Sequence, residues 1–322
     1  MNAEAREARV ATREDARPGR SCPLSYRYSP RVFDRGPDLR AETLYVVGGL
    51  YGNVEALQAL LAMAAREPGP VAIAFNGDFH WFDVDAGDFE RVTLAVLGHA
   101  AIRGNVETEV AGEDTGAGCG CAYPADVTDA EVSRSNEILV RLRATAARLP
   151  ALRSRLGALP MHLTAQVGAA RVGIVHGDAA SLAGWGFAQD RLDDPAHRRW
   201  VESAFAQSRV DVFASTHTCL PAFRRFDGGV VANNGAAGMP NFASSRFGLL
   251  TRIGMRSHAG PERLYGVEVA GVHVEALRID YDHARWLERF EASWPAGSPA
   301  HASYHRRIVS GTRFTLAQAL PA

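Results

Sequence analysis

The sequence predicts an α/β fold with two facing β-sheets, and three observations carry that reading. Between residues 43 and 103, short apolar runs alternate with stretches of helical periodicity, the pattern of βαβ units and a parallel sheet. Beyond Val210, short strand-like runs follow one another with Gly turns between them, and a second sheet facing the first accounts for them. Polar turns follow the apolar runs directly, at the strand ends where open α/β sheets place their ligands.

In chain order, residues 1–20 read as a loosely helical tail, and 21–40 as an ordered but irregular lead-in with three prolines. Thr43–Val47 is a buried strand ending at Gly48-Gly49. Val54 to Arg66 is helical, with Leu57, Leu60, Leu61 and Ala64 on one face. Val71–Phe75 is a second strand ending at Asn76-Gly77-Asp78. Phe89 to His99 is helical, and Ala101–Arg103 is a short third strand. Glu109 to Pro124 reads as a Gly-rich loop, and a loop of that length inside a domain is expected to act as a lid. Thr128 to Leu149 is a helix with an acidic start and an Arg-rich end, which suits its dipole. His162–Val167 and Val172–Val175 are strands, and Pro195 to Gln207 is a helix. Strand-like runs cover 211–215, 222–226, 229–232, 247–253, 264–270 and 272–279. Residues 283–294 form an amphipathic helix, and 296–322 read as a polar, peripheral tail. The expected domain organisation is 1–40 tail and lead-in, 41–282 catalytic-type domain, and 283–322 C-terminal helix and tail.

Composition excludes several chemistries. The chain has 322 residues, and all 35 of its basic residues are Arg. Without Lys there is no P-loop, no kinase strand lysine and no Schiff base. A net charge of −1 argues against nucleic-acid or membrane-surface binding. No apolar run approaches a membrane span. The first twenty residues resemble neither a secretory signal nor a transit peptide. Four cysteines are too few for a disulfide scaffold, so a reducing cytoplasm is the expected location.

Four polar turns carry the chemistry: Gly77-Asp78, Gly104-Asn105, His176-Gly177-Asp178 and Ser215-Thr216-His217-Thr218. Asp, Asn and His together suit a hard or borderline metal such as Mn, Fe or Zn. In this order the turns resemble those of the calcineurin-like metallophosphoesterases, bacterial branch, over roughly residues 42–280. Gly49-Leu50-Tyr51-Gly52-Asn53 stands at the first block. It is followed by Gly77-Asp78 with Asp83, Arg103-Gly104-Asn105-Val106-Glu107, His176-Gly177-Asp178, and Ser215-Thr216-His217. The resemblance implies a four-layer αββα sandwich of two mixed sheets flanked by helices. It implies one or two divalent or trivalent ions (Mn, Fe or Zn), with Asp78 bridging and Asn105, His176 and His217 as further ligands. Asp78 and Asn105 would be the catalytic pair, and Glu107 and Asp178 would orient the ligands. The implied activity is hydrolysis of a phosphoric ester, with a small phosphorylated molecule or a phosphoprotein as substrate.

Several residues depart from the family's pattern. Gly49 and Tyr51 stand where the family has Asp and His, Val106 where it has the His that protonates the leaving group, and Ser215 where it has a further His. The first metal position thus keeps Asp78 and His217, and the second keeps Asp78, Asn105 and His176. Two side chains can compensate. Tyr51 can ligate as a phenolate, or else pack into the vacated volume. His80 can swing toward the space left at Gly49, or else serve as a core histidine. Cys119, Cys121 and Cys219 offer thiols if the Gly-rich loop folds over the site. Arg103 can receive phosphate, or pair with a surface carboxylate. These departures keep open a second reading, a non-catalytic module that binds a phosphorylated ligand or partner on the same fold.

Overall fold

The computed structural model describes residues 18–113 and 116–320. The expected N-terminal tail lies outside the described residues as far as residue 17. The strands are β1 (Leu39–Ala41), β2 (Thr43–Val47), β3 (Val71–Phe75), β4 (Ala100–Ala101), β5 (His162–Val167) and β6 (Ala170–Val175). They continue with β7 (Val212–Ser215), β8 (Pro221–Phe226), β9 (Gly229–Asn234), β10 (Gly248–Gly254), β11 (Arg263–Val269) and β12 (Val272–Ile279). The helices are α1 (Val54–Ala65), α2 (Ala86–Val96), α3 (Asn105–Ala111), α4 (Asp129–Ala147) and α5 (Pro150–Gly157). They are followed by α6 (Gln189–Leu192), α7 (Pro195–Ser208), α8 (His283–Ser293), α9 (Pro299–Ser310) and α10 (Leu316–Ala319). The lead-in contributes two 3₁₀ turns, Leu24–Tyr26 and Pro30–Phe33.

One sheet runs β11-β12-β10-β2-β3-β4 and the other β1-β5-β6-β7-β9-β8. Both are mixed. β2, β3 and β4 are parallel in the first, and β6, β7 and β9 in the second. Alternation along the strands builds the layers. Leu44 and Val46 of β2 face an inter-sheet core with Ala74, Ile174, Val212, Ala232, Leu249 and Val274. The intervening Tyr45 and Val47 face the opposite way, into a core with Leu57, Leu60, Phe89, Ile138, Leu142 and Phe290. On the far side of the second sheet, Phe213 and Val231 pack under Val201 and Phe205 of α7. The result is helices, sheet, sheet, helices.

Several elements differ from the sequence expectation. The third strand shrinks to Ala100–Ala101, because the chain must turn at Arg103 to start α3. That helix consumes the first part of the expected Gly-rich loop. Residues 296–320 are no peripheral tail. They form α9 and α10, and α9 buries Ala300 and Ile308. Trp294, between α8 and α9, is fully buried, donates Nε1–H to the Phe82 carbonyl (2.8 Å) and lies under the Arg141 guanidinium. Substituting Trp294→Ala should therefore lower unfolding free energy by about 3–5 kcal/mol in a urea titration. A loss below about 1 kcal/mol would show that the C-terminal helices are not integral to the core.

Candidate metal centre

Five strand ends meet at one edge of the sandwich. Asn76, after β3, donates its side-chain amide to the Val175 carbonyl of β6 (2.9 Å), and Asn234 donates to the Gly48 carbonyl after β2 (3.1 Å). Thr216 after β7 donates its amide to the His176 carbonyl (3.0 Å). These bonds hold the turns of both sheets in register across the gap.

The turn bearing Asp78 is organised by Glu107, the third residue of α3. Its Oε2 accepts the amides of Asp78 (2.8 Å) and Gly104 (2.8 Å), and its Oε1 those of Phe79 (3.1 Å) and His80 (3.4 Å). Asp78 itself has φ +53°, in the left-handed region. Tyr51 (φ +56°) and Cys219 (φ +60°) share that strained backbone and line the same cavity. Gly104 is required here, because a Cβ would lie 2.3 Å from Asp78 Oδ1.

Asp78, His176 and His217 bring one ligand atom each to within 4.8 Å of one another, all buried. His176 Nδ1–H donates to the Asn76 carbonyl (2.9 Å), and His217 Nε2–H to the Cys121 carbonyl (3.1 Å). These carbonyls assign the tautomers, so the other nitrogen of each neutral ring carries a lone pair. His176 Nε2 then lies 3.0 Å from Asn105 Oδ1, 3.1 Å from His217 Nδ1 and 3.4 Å from Asp78 Oδ1. Asn105 is oriented by donating Nδ2–H to the Cys119 carbonyl (2.9 Å). Four acceptors converge with at most one proton among them. Such a donor set fits a cation.

The electrostatics agree with that assignment. Burial pushes the Asp78 carboxyl up, but His176, His217 and the Val106 amide together hold it below its usual value. Burial disfavours charge on His176, yet Asp78 and the Asn76 carbonyl outweigh it and raise its pKa above the ordinary 6.5. Burial, with His176 alongside, lowers His217 to about 3, so that ring is neutral and ready to ligate. Glu107 is raised by burial and by the Asp78 charge.

Other residues named as possible ligands do not join the cluster. Tyr51 Oη sits 2.8 Å from Cys219 Sγ, and burial, Cys219 and Asp78 keep the phenol far from ionising. Its ring covers Gly49, where a Cβ would be 2.9 Å from ring carbons and the hydroxyl. Tyr51 thus fills the volume that a side chain at position 49 would take, as a neutral phenol. Of the two readings of His80, its contacts fit the core histidine. Its Nδ1 is 2.6 Å from Asp83, its Nε2 3.0 Å from Thr93, and its ring stacks on Phe89. Arg103 is corrected. It donates to the Gly157 carbonyl (2.7 Å) and is absent from the cavity wall. Asp178 accepts the amides of Ala180, Ser181 and Gly186, shaping the loop that carries Trp185. Neither Asp178 nor Glu107 touches a ligand side chain; both orient backbone. Cys119 and Cys121 turn their sulfurs against each other, and Cys121 Sγ meets the Asn105 amide (3.5 Å).

The cluster opens on a cavity of 430 Å³ lined by Asp78, Asn105, Val106 and His217, with Trp81, Tyr123, Trp185 and Tyr304 as aromatic walls. The Gly-rich loop does fold over the site, but as a fixed wall. Trp185 Nε1–H and His217 both donate to the Cys121 carbonyl, and Cys119 N–H donates to Asn136. Arg307 and Tyr304 of α9 also line the cavity and were not anticipated from the sequence. The only available signal was the four-residue spacing of Ala300, Tyr304 and Ile308.

Solved structures that share this architecture include two that align over most of the chain. One is a metallophosphoesterase from Sphaerobacter thermophilus, at 18% identity and a TM-score of 0.53, covering 84% of this chain and 100% of that one. The chain has the metallophosphoesterase fold. The other, a hypothetical protein from Pyrococcus horikoshii OT3, aligns at 14% identity and a TM-score of 0.58, covering 84% of this chain and 99% of that one. No protein-family model and no curated protein matches the sequence. Among the described residues, no helix is long and apolar enough to cross a membrane. On this metallophosphoesterase fold the buried Asp/His/His group is able to hold a metal.

Two outcomes are expected of this centre. Since His176 is protonated below its raised pKa and must lose that proton to ligate, affinity for Mn or Zn should climb as pH rises past the ordinary 6.5 and level off once the ring is deprotonated. Calorimetry in buffers of different ionisation enthalpy should register about one proton released per ion at the low-pH end. An affinity flat across that rise in pH would contradict the assignment. Glu107→Gln, which leaves the four amides without a carboxylate, should cost about 1–3 kcal/mol of stability and weaken metal binding. An unchanged urea midpoint and metal affinity would refute the role given to Glu107.

Proposed function

We propose that the chain is a metal-dependent phosphoesterase that works with one ion and hydrolyses small phosphate esters of aromatic alcohols. The observation that carries this is the convergence of four lone pairs, from Asp78, Asn105, His176 and His217, at the floor of an aromatic cavity. Those four residues would hold Mn, Fe or Zn. When bound, the ion supplies Lewis-acid polarisation of a phosphoryl oxygen and a water of lowered pKa.

The remaining work falls to the chain. Asp78 stays ionised and would balance part of the ion's charge. His217, neutral and fixed by the Cys121 carbonyl, offers its lone pair at no cost in proton release. Trp81, Tyr123, Trp185 and Tyr304 exclude water and take a planar leaving group; the Trp185 ring lies 5.4 Å from that of His217. Val106 lines the cavity at the position where the family resembled has its leaving-group acid, and it has no proton to give. Losing a general acid forfeits about 10²–10⁴ in rate, so leaving groups that depart without protonation are selected.

A one-ion site follows from the wall opposite. Position 49 has no side chain, Tyr51 fills the space, and the Ser215 hydroxyl bonds to the carbonyls of Gly177 (2.6 Å) and His176 (3.3 Å). A cavity of this size favours a small phosphorylated molecule over a phosphoprotein. A cytoplasmic location belongs to the same proposal. It rests on the low cysteine content. Val106 and Gly49 also favour a second reading, a module that binds the phosphate ester without turning it over.

Metal-loaded protein should hydrolyse 4-nitrophenyl phosphate at least about 10²-fold faster than glycerol 2-phosphate, and Asp78→Asn should abolish the activity. Equal rates on the two esters would overturn the leaving-group argument. A rate insensitive to Asp78→Asn would overturn the site. Phosphate binding without any turnover would establish the binding module instead.

A further inference from the structure

Arg307 is a charged residue at the cavity that the reading above leaves without a task. It projects from α9 to the cavity wall, where Nε donates to the Pro240 carbonyl (2.9 Å) and Nη2 to the Cys219 carbonyl (2.7 Å). No carboxylate among the described residues pairs with it, and its Nη1 has no protein partner among them. Arg103, Arg153 and Arg171 also donate to carbonyls, but Arg307 alone of the described arginines lines the cavity, and three other partly or fully buried ones are neutralised. Arg252 is held by Glu67 and Glu275, Arg143 by Glu109, and Arg289 by Glu55 and Asp88. Two neutral carbonyls fix the direction of the Arg307 fork without cancelling its charge. A guanidinium held in that way costs little further ordering when it meets an anion.

Its position specifies which anion. The Cys219 whose carbonyl it grips is the residue whose thiol meets Tyr51, on the wall where Gly49 and Tyr51 offer no metal ligand. The same cavity carries Asp78, Asn105 and His217. A tetrahedral oxyanion in it would meet the guanidinium on one side and the metal-holding cluster on the other. We propose that Arg307 binds the phosphoryl oxygens of the substrate, and that this residue, rather than Arg103, is the chain's phosphate ligand. The proposal rests on the phosphoester reading and adds the substrate-binding residue to it. Charge-assisted N–H···O bonds from a planar fork match phosphate geometry, which a methionine of similar length cannot imitate and a lysine imitates in part.

The test uses the full, metal-loaded chain and inorganic phosphate. Binding is read from the fluorescence of Trp81 and Trp185, which line the cavity. Arg307→Met should weaken phosphate binding about 10- to 100-fold, Arg307→Lys should fall between, and metal content should be unchanged in both. In the unaltered chain, phosphate should protect Arg307 from phenylglyoxal, read by peptide mass mapping. Folded Arg307→Met that binds phosphate like the parent would overturn the proposal, as would Arg307 reactivity indifferent to phosphate. If Arg307→Met fails to fold, the protection measurement decides alone. Phosphate protection without hydrolysis of 4-nitrophenyl phosphate would sink the phosphoesterase reading and leave Arg307 as the phosphate ligand. Hydrolysis without protection would do the reverse.

Discussion

Four backbone N–H groups point at one buried carboxylate, that of Glu107, and the candidate centre depends on this arrangement. The amides belong to Asp78, Phe79 and His80 after β3 and to Gly104 at the start of α3. Without an acceptor, each would be a buried donor with nothing to bond. With it, the left-handed turn at Asp78 is tied to the helix that carries Asn105. Asp78 Oδ1 then accepts the Val106 amide (3.2 Å), closing the same junction from the other side. The second sheet contributes His176 and His217 through its own strand ends, so the centre exists only where the two sheets meet.

The centre itself is an imbalance of acceptors over donors. His176 Nε2 faces an amide oxygen, an imidazole nitrogen and a carboxylate oxygen. One proton on His176 satisfies that geometry partly, and a cation satisfies it better. Trp and Tyr rings form part of the cavity wall above, and its one guanidinium among the described residues comes from α9. The candidate ligands and the aromatic walls therefore come from different parts of the chain. The ligands sit on strand ends, and the walls on the loop after α3, the loop shaped by Asp178, and the C-terminal helices.

The sequence revealed the strand ends and much less of the walls. Apolar runs broken by Gly-Asp, Gly-Asn and His-Gly-Asp turns locate Asp78, Asn105, His176 and His217, because a buried strand followed by a polar turn is a local pattern. Side-chain direction is not local in that sense. His80 is two residues from Asp78 yet points into the α2 core toward Thr93, and Arg103 is two residues from Asn105 yet points to Gly157. Proximity in sequence settled neither. Arg307 was invisible for the opposite reason. It lies 90 residues beyond His217, in a segment whose polarity hid the spacing of Ala300, Tyr304 and Ile308. The role of Cys121 was also unreadable, since it acts through its backbone carbonyl, which every residue has.

The central claim is that this fold here holds a single ion through Asp78, Asn105, His176 and His217. Elemental analysis of the protein after supplementation with Mn, Fe and Zn tests it most directly. The account predicts one equivalent per chain, lost on Asp78→Asn. Two equivalents, or none after supplementation, would contradict it.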